Sequence, residues 1–289
     1  MTYPLAKPTP FLEVRAHTTG LSRSVCGLCV GYETGNWRHA GLADHIVEWL
    51  PEFALTPKEF VAMQHANSVE LIRRAARTVY ESKKFQKRGE FGELFLHAAI
   101  RQVHDSLPAI SKIYYKSATN DTVKGFDAVH VVGPPDGMEL WLGEAKFYND
   151  IGRAVRDVVK EIHDHLDTDY LRSEFILIGN KVDDTWPHAP ELRKLLSAKT
   201  SLDVVFKRAC IPVLLTYDSD CIEKHSACTA QYITDFEAEI AANNAQFTKA
   251  IDAKAIPPDV KIHLFLMPLK EKKALITALN GKLKAWQNL

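Results

Sequence analysis

The sequence has 289 residues, 46% of them apolar and 25% charged, so it can bury a substantial core and has the composition of a globular protein. No apolar run approaches the ~20 residues of a membrane-spanning helix, and residues 1–10 have no apolar segment, so we expect neither a membrane span nor a secretory signal. Lysine plus arginine number 36, as do aspartate plus glutamate, and this zero net charge disfavours a protein that binds nucleic acid over a wide face, leaving room for a local basic patch or a partner.

The five cysteines are odd in number and irregularly spaced, which disfavours a disulfide framework and indicates a reducing cytoplasm. Cys26 and Cys29 form a CxxC pair inside a strand-like run, and Cys221, His225 and Cys228 lie far downstream. A structural zinc site normally uses two tight pairs. Buried core thiols are therefore favoured, with a zinc or redox site as the open alternative.

The predicted elements begin with strands at residues 11–17 and 24–32 and an apolar-periodic segment at 42–53. Thr56 and Glu59 form a capping box with Pro57 at the first helical position, which predicts a helix from there to about residue 82. A further helix is predicted over Glu90–His104. The later elements are strands at 126–132, 138–146, 175–179, 211–217 and 261–267, and helices at 149–166, 190–198, 235–253 (opened by a capping box of Thr234 and Glu237) and 271–286.

Strands that alternate with helices predict an α/β fold with a mixed sheet flanked by helices. A soft boundary near residue 82 divides an amino-terminal α/β region, residues 1–82, from a domain at residues 83–289. No linker marks this boundary, so we expect the first region to pack against the second. Docking of a partner is the expected role of the first region.

The most informative feature is a predicted hairpin whose two strands are separated by Gly-Pro-Pro-Asp-Gly, a strong turn signal. Folding the hairpin at this turn places Asp127 opposite Glu144 or one step from it, and carboxylates across an antiparallel pair lie about 5 Å apart at Cβ. Strand alternation puts Lys146 on the same face as Glu144. Two such carboxylates favour Mg²⁺, or Mn²⁺, and phosphodiester hydrolysis, with Lys146 orienting the attacking water. The alternative is a surface hairpin with a cross-strand Glu–Lys face.

Two neighbouring features bear on this choice. Glu90 and Glu93 open the helix just upstream, and Glu93, which lies deeper between apolar neighbours, is the better candidate for a third metal ligand, although first-turn glutamates are also favoured by the helix dipole. A basic run before this helix could bind phosphates, or could be a solvated face. The run consists of Lys83, Lys84, Lys87 and Arg88.

A helix glutamate, then GFD, a hairpin and GEAK together resemble the PD-(D/E)xK nuclease superfamily. The resemblance implies that Asp127 and Glu144 bind metal and that Lys146 acts with the attacking water. Phe126 stands where the proline of the motif would be, a departure that removes no metal ligand. The helix at 149–166 corresponds to one that packs on the sheet, where Arg153, Arg156 and Lys160 could contact DNA or be solvated.

The whole chain also resembles the HamA family of Hachiman anti-phage defence systems. The resemblance is carried by the order CGLCVGYE, WRHAGLADHIVEWLPEFAL, RGEFGELFLH, KGFDAVHVV, LWLGEAKFY and IHLFLMPL. It implies a nuclease subunit that pairs with a superfamily-2 helicase, HamB, which engages DNA and restrains the nuclease until infection. A heterodimer of this kind would fit the zero net charge, because the partner could supply much of the affinity for DNA.

Other chemistries find no support, since the sequence has no GxSxG, GxxxxGK[ST] or GxGxxG motif. His163 and His165 are two residues apart on one predicted helix and do not share a face, which disfavours zinc binding there. His130 alternates away from Asp127 and is assigned to the core or the surface. Two rival functions remain: a non-catalytic binding subunit with a nuclease fold, and a nuclease that acts on RNA or on a narrow structure such as DNA ends.

Overall fold

A seven-stranded mixed sheet organises the part of the chain that the computed structural model describes, residues 6–79, 89–111 and 125–289. Its strands are β1 (Glu13–Thr18), β2 (Arg23–Cys29), β5 (Leu107–Ser111), β6 (Ala128–Val132), β7 (Glu139–Phe147), β8 (Ala209–Asp218) and β9 (Lys261–Leu269), and a small separate pair is β3 (Tyr32–Glu33) and β4 (Asn36–Trp37). The order across the large sheet is β1-β2-β9-β8-β7-β6-β5. The central strands β2, β9, β8 and β7 are parallel to one another. At one edge β1 is antiparallel to β2, and at the other β6 is antiparallel to both β7 and β5. The predicted mixed α/β fold is thus confirmed.

Helices cover both faces of this sheet. They are α1 (His39–Glu48), α2 (Leu50–Ala54), α3 (Pro57–Val61), α4 (Ser68–Thr78), α5 (Glu90–His104), α6 (Ile151–His165), α7 (Thr168–Lys181), α8 (Ala189–Leu196), α9 (Leu202–Phe206), α10 (Asp220–Lys224), α11 (Ala230–Asp252) and α12 (Lys272–Gln287). Within the described ranges, no helix is long and apolar enough to cross a membrane.

The two faces of β7 are covered by different helices. A Cβ on Gly143 would lie 2.7 Å from Leu96 of α5, and one on Gly92 of α5 would lie 3.5 Å from the Cβ of Ala145. Because side chains alternate along a strand, the even-numbered residues of β7 face the other side. Glu144 and Lys146 therefore point away from α5 and towards α6.

The amino-terminal strands belong to the same sheet as the rest of the chain. β2 pairs in parallel with β9, and β1 forms an edge next to β2. Gly27 of β2 packs against α11, where an added Cβ would lie 2.8 Å from Ile240 and 3.0 Å from Phe236. The described part of this region thus packs on the remainder through β2, and the domain boundary predicted near residue 82 stays a prediction.

The predicted strand at residues 175–179 is wrong, since these residues lie within α7. The side chain of Asp167 caps this helix by accepting hydrogen bonds from the backbone of residues 169 and 170. Leu171, Phe175 and Ile178 recur at helical spacing and are buried, whereas Ile176 is 63% exposed. The apolar run is therefore one buried helix face with an exposed residue beside it.

Two other predicted helix boundaries need correction. The capping box of Thr56 and Glu59 is confirmed, but its helix ends at Val61, and α4 begins after a turn in which Asn67 accepts a hydrogen bond from the backbone of residue 64. The capping box predicted at Thr234 is wrong because α11 begins five residues earlier in the chain, capped by Thr229. Thr234 lies inside the helix and donates its hydroxyl to the carbonyl of residue 230.

Four of the five cysteines fit the prediction of core thiols, and Cys228 does not. Cys26, Cys29, Cys210 and Cys221 are buried free thiols, and Cys228 is an exposed one. On β2 the two cysteines of the CxxC pair are three residues apart, so they point to opposite faces of the sheet. His130, also assigned to the core or surface, is buried and hydrogen-bonds to Ser106.

Candidate active site

The hairpin brings Asp127 and Glu144 together. In the register of β6 and β7, Ala128 pairs with Gly143, which places Asp127 across from Glu144, and the backbone N–H of Asp127 donates to the Gly143 carbonyl at 2.8 Å. The Asp127 carboxylate accepts a hydrogen bond from the backbone of Ala145 at 2.9 Å. The sequence-predicted pair of carboxylates therefore lies side by side.

Gly125 shapes the entry to this pair. Its φ of 143° lies in a region that L-residues rarely adopt, and a Cβ there would lie 2.7 Å from Oε2 of the buried Glu174. Glycine thus lets the chain pass close to α7 immediately before Phe126 and Asp127. The GFD sequence is a structural requirement of this turn as well as a motif.

Two side chains from the last turn of α6 complete the cluster. His165 Nδ1 lies 2.5 Å from Glu144 Oε1, and Lys146 Nζ forms a short ion pair with Glu161. His165 in turn stacks flat on Tyr170 of α7, with ring centroids 4.5 Å apart and planes at 5°. The site thus consists of two hairpin acids, one lysine and two α6 side chains.

The electrostatics of the cluster show an excess of buried negative charge. Burial raises the pKa of Glu144 from 4.5 to about 7, and the charge of Asp127 adds to this rise, while His165 and Lys146 oppose it. Burial would lower the pKa of Lys146, but its hydrogen bond to Glu161 and the charges of the carboxylates outweigh burial and raise it. Glu144, 1% exposed, therefore ionises only with help from nearby cations.

The donor set fits a hard divalent cation at the hairpin. Asp127 and Glu144 present carboxylate oxygens side by side, and burial first, then the charge of Asp127, raises the pKa of Glu144. A divalent cation would offset both the cost of burying these charges and their mutual repulsion. Within the described ranges, however, no three His, Cys, Asp or Glu side chains are gathered closely enough to hold a metal ion. A three-carboxylate site would therefore require some side chain to move from the position described.

Glu93, the predicted third ligand, lies on α5 beside Gly92. Because α5 packs on the face of β7 opposite to α6, the helix that carries Glu93 lies on the other side of the sheet from Glu161 and His165. Glu93 is half-buried, as is its neighbour Glu90 at the start of the helix. The role of Glu93 as a metal ligand stays a prediction.

The predicted nucleic-acid contacts are only partly described. Arg153 is exposed near the start of α6, where it forms an ion pair with Asp157 at 3.6 Å and lies 4.8 Å from the ring centroid of Tyr148. Arg156 is exposed on the same helix. The basic run of Lys83, Lys84, Lys87 and Arg88 lies outside the described residues.

The chain that carries this site is similar in sequence to known proteins. The family model described as HamA matches residues 9–283, nearly the whole chain. The chain belongs to the HamA family. A relative from Escherichia coli (strain K12), described as anti-bacteriophage protein A, is 27% identical over 261 residues, which cover 88% of this chain and 46% of the relative. The chain thus spans about half the length of the curated relative it matches.

The stretch that matches HamA includes two site residues that the sequence reasoning missed, Glu161 and His165. The sequence reasoning compared His165 with His163, which does not share its face. The informative spacing is the one to Glu161, because residues four apart on a helix lie on the same face. The amphipathic pattern of α6 contains this signal, but the strand that the face covers becomes evident only from the fold.

Proposed function

We propose that this HamA-family chain is a metal-dependent deoxyribonuclease that hydrolyses DNA phosphodiester bonds as the effector of an anti-phage defence complex. The proposal is carried by one observation: Asp127 and the buried Glu144 lie side by side, with Lys146 one step along the same face of β7. Such an arrangement is costly for stability because burial and the neighbouring charge raise the pKa of Glu144. Strain of this kind is typical of functional sites.

Asp127 and Glu144 would hold Mg²⁺, or Mn²⁺, and Glu93 would join them as a third ligand after a side-chain movement, because α5 lies on the opposite face of β7. When bound, the ion would supply a Lewis acid for the phosphoryl oxygen and lower the pKa of a coordinated water. The protein fixes the two hairpin carboxylates beforehand, through the backbone hydrogen bond to Asp127 and the contact of His165 with Glu144.

Lys146 would act on the reacting phosphate. Lys146 is 8% exposed. Its ammonium remains protonated, because the hydrogen bond to Glu161 and the charges of the nearby carboxylates raise its pKa. A protonated lysine donates hydrogen bonds, so Lys146 would hold the attacking water or offset charge on the phosphate in the transition state. Arg153 and Arg156 of α6, and the basic run from Lys83 to Arg88, would contact neighbouring phosphates.

The phage-defence role comes from the relative described as anti-bacteriophage protein A, together with membership of the HamA family. We further propose a heterodimer with a superfamily-2 helicase, HamB, which docks on residues 1–82 and releases the nuclease on infection. The zero net charge supports a partner that supplies affinity for DNA.

A second candidate function is a non-catalytic nucleic-acid-binding subunit. It is favoured by the ion pairs of Lys146 with Glu161 and of Glu144 with His165, which offset part of the carboxylate charge without a metal. In that case the hairpin charges would contribute only to structure. Cleavage of RNA in place of DNA is a further outcome that the same assay resolves.

The test is a cleavage assay with the purified full chain and with its co-purified helicase, on linear, circular and single-stranded DNA and on RNA, with Mg²⁺ or EDTA. Glu144→Ala and Lys146→Ala should abolish Mg²⁺-dependent cutting of DNA, whereas Glu237→Ala and Lys249→Ala, both on the exposed surface of α11, should cut as the wild type does. Cutting by both hairpin variants would refute the proposal. Cutting of RNA alone would change the proposed substrate from DNA to RNA.

A further inference from the structure

The last turn of α6 matches the spacing of the hairpin side chains. Glu161 and His165 are four residues apart on α6, a rise of about 6 Å. Lys146 and Glu144 are two residues apart on β7, a rise of about 6.6 Å. One helix face therefore reaches both groups at once, and each helix residue contacts one strand residue.

His165 is itself held in place from two sides. Its ring stacks on Tyr170 at 4.5 Å and meets the edge of Phe126, the residue before Asp127, at 5.2 Å. The side chain of Asp167 fixes Tyr170 by accepting its backbone N–H at 3.2 Å at the start of α7. The imidazole is thus oriented by packing, and its Nδ1 lies against Oε1 of Glu144.

We infer that His165 and Glu161 are positioning residues of the metal-dependent site, the first for Glu144 and the second for Lys146. The inference rests on the proposed function. His165 contacts Oε1 of Glu144 and would hold the carboxylate in an orientation from which it and Asp127 could share a divalent cation. Hydrogen bonds to ligating carboxylates from outside the metal shell change metal affinity or activity by about 10–100-fold in proteins.

Glu161 acts on a different step. Its ion pair holds the Lys146 ammonium, which would otherwise be free to rotate on a flexible stem. Loss of this partner should leave metal binding intact and slow cleavage. The two α6 residues therefore have separable effects, one on metal affinity and one on turnover.

A direct measurement of Mn²⁺ binding tests the role of His165 without cleavage. The full chain is titrated with Mn²⁺, and free Mn²⁺ is followed by electron paramagnetic resonance. His165→Ala should weaken Mn²⁺ binding about 10–100-fold, and His165→Asn should recover much of the loss because its amide can donate to Glu144. His163→Ala, exposed on the same helix, is the matched control and should bind as the wild type does.

Turnover tests the role of Glu161. Glu161→Gln should lower kcat about 10–100-fold, while the Kd for Mn²⁺ and the KM for DNA stay within twofold. Asp164→Asn, on the same turn of α6, should change none of these three constants. Thermal melting of every variant controls for folding. If His165→Ala does not fold, His165→Phe carries the test for His165, because it keeps a ring against Tyr170 and Phe126 but donates no hydrogen bond to Glu144, and it should weaken Mn²⁺ binding as His165→Ala would.

The outcomes separate this inference from the proposed function. Wild-type Mn²⁺ binding by His165→Ala, or wild-type kcat for Glu161→Gln, in a protein whose Glu144→Ala variant is inactive, would overturn the positioning roles alone. A wild-type chain that neither binds Mn²⁺ nor cuts nucleic acid would overturn both. A loss of melting temperature without a change in Mn²⁺ affinity would show a purely structural role for His165.

Discussion

Replacing Glu144 with glutamine should stabilise the metal-free protein at alkaline pH. The Glu144 carboxyl is buried beside Asp127, and its pKa is raised from 4.5 to about 7. Since each pKa unit corresponds to about 1.4 kcal/mol, ionising this group in the folded protein costs about 3 kcal/mol by pH 8. Glutamine keeps the shape and can still accept from His165, but it loses the attraction to Lys146. The net gain in the free energy of unfolding should be about 1–3 kcal/mol.

The pH dependence gives this prediction its sign. Between pH 4.5 and about 7 the folded state binds more protons at Glu144 than the unfolded state, so wild-type stability falls as pH rises through this window. The glutamine variant does not titrate here, and its advantage should be small at pH 5 and complete at pH 8. Urea denaturation in EDTA at both pH values measures it, with the exposed Glu237→Gln as control.

Two results would refute the reasoning about Glu144. One is a glutamine variant that is less stable than the wild type at pH 8, and the other is an equal gain at pH 5 and pH 8. Added Mg²⁺ provides a further check. It should stabilise the wild type, in which two carboxylates would bind it, and should have little effect on Glu144→Gln.

Three further predictions concern stability. Arg101→Met should lower the free energy of unfolding by about 3–5 kcal/mol in a urea titration, because it leaves the buried Glu52 carboxylate without its partner, and a loss below about 1 kcal/mol would contradict this. Gly27→Ala should lower the free energy of unfolding by about 1–3 kcal/mol, because the added Cβ would lie 2.8 Å from a side chain of α11. Gly281→Ala, in open space on α12, should instead raise it by as much as about 1 kcal/mol. Thermal melts that rank the two variants the other way would contradict this packing. Burial lowers the pKa of His263 from 6.5 to about 3, so stability should fall by up to about 1.4 kcal/mol per unit as pH drops below 6.5, and His263→Gln should show a shallower fall in urea titrations; equal slopes would argue against it.

The parts of the fold that could be predicted from sequence are those specified by neighbouring residues. The bounds of α5 agree with the predicted Glu90–His104, because apolar periodicity runs through the whole segment. The sequence Gly-Pro-Pro-Asp-Gly specifies the turn between β6 and β7, and strand alternation then places Asp127, Glu144 and Lys146 on one face of the hairpin. Local chemistry was sufficient for each of these.

The parts that could not be predicted depend on contacts between distant segments. Residues 175–179 form part of a helix because α7 buries Phe175 and Ile178 while leaving Ile176 in solvent, a choice that no short apolar run reveals. Likewise, the contact of His165 with Glu144 requires the last turn of α6 to lie over residue 144 of β7. The sequence shows Glu161 and His165 on one helix face but not which strand that face covers.

The rate of DNA cleavage by Lys146→Ala under saturating Mg²⁺ tests the central claim most directly. The assay is single-turnover cleavage of a labelled duplex, with Lys249→Ala on the exposed face of α11 as the matched control. Removal of a group that stabilises charge in the transition state costs about 10²–10³-fold in rate. We expect a loss of at least this size in a Lys146→Ala protein that melts like the wild type and still binds Mn²⁺. Cleavage by Lys146→Ala at the wild-type rate would contradict it.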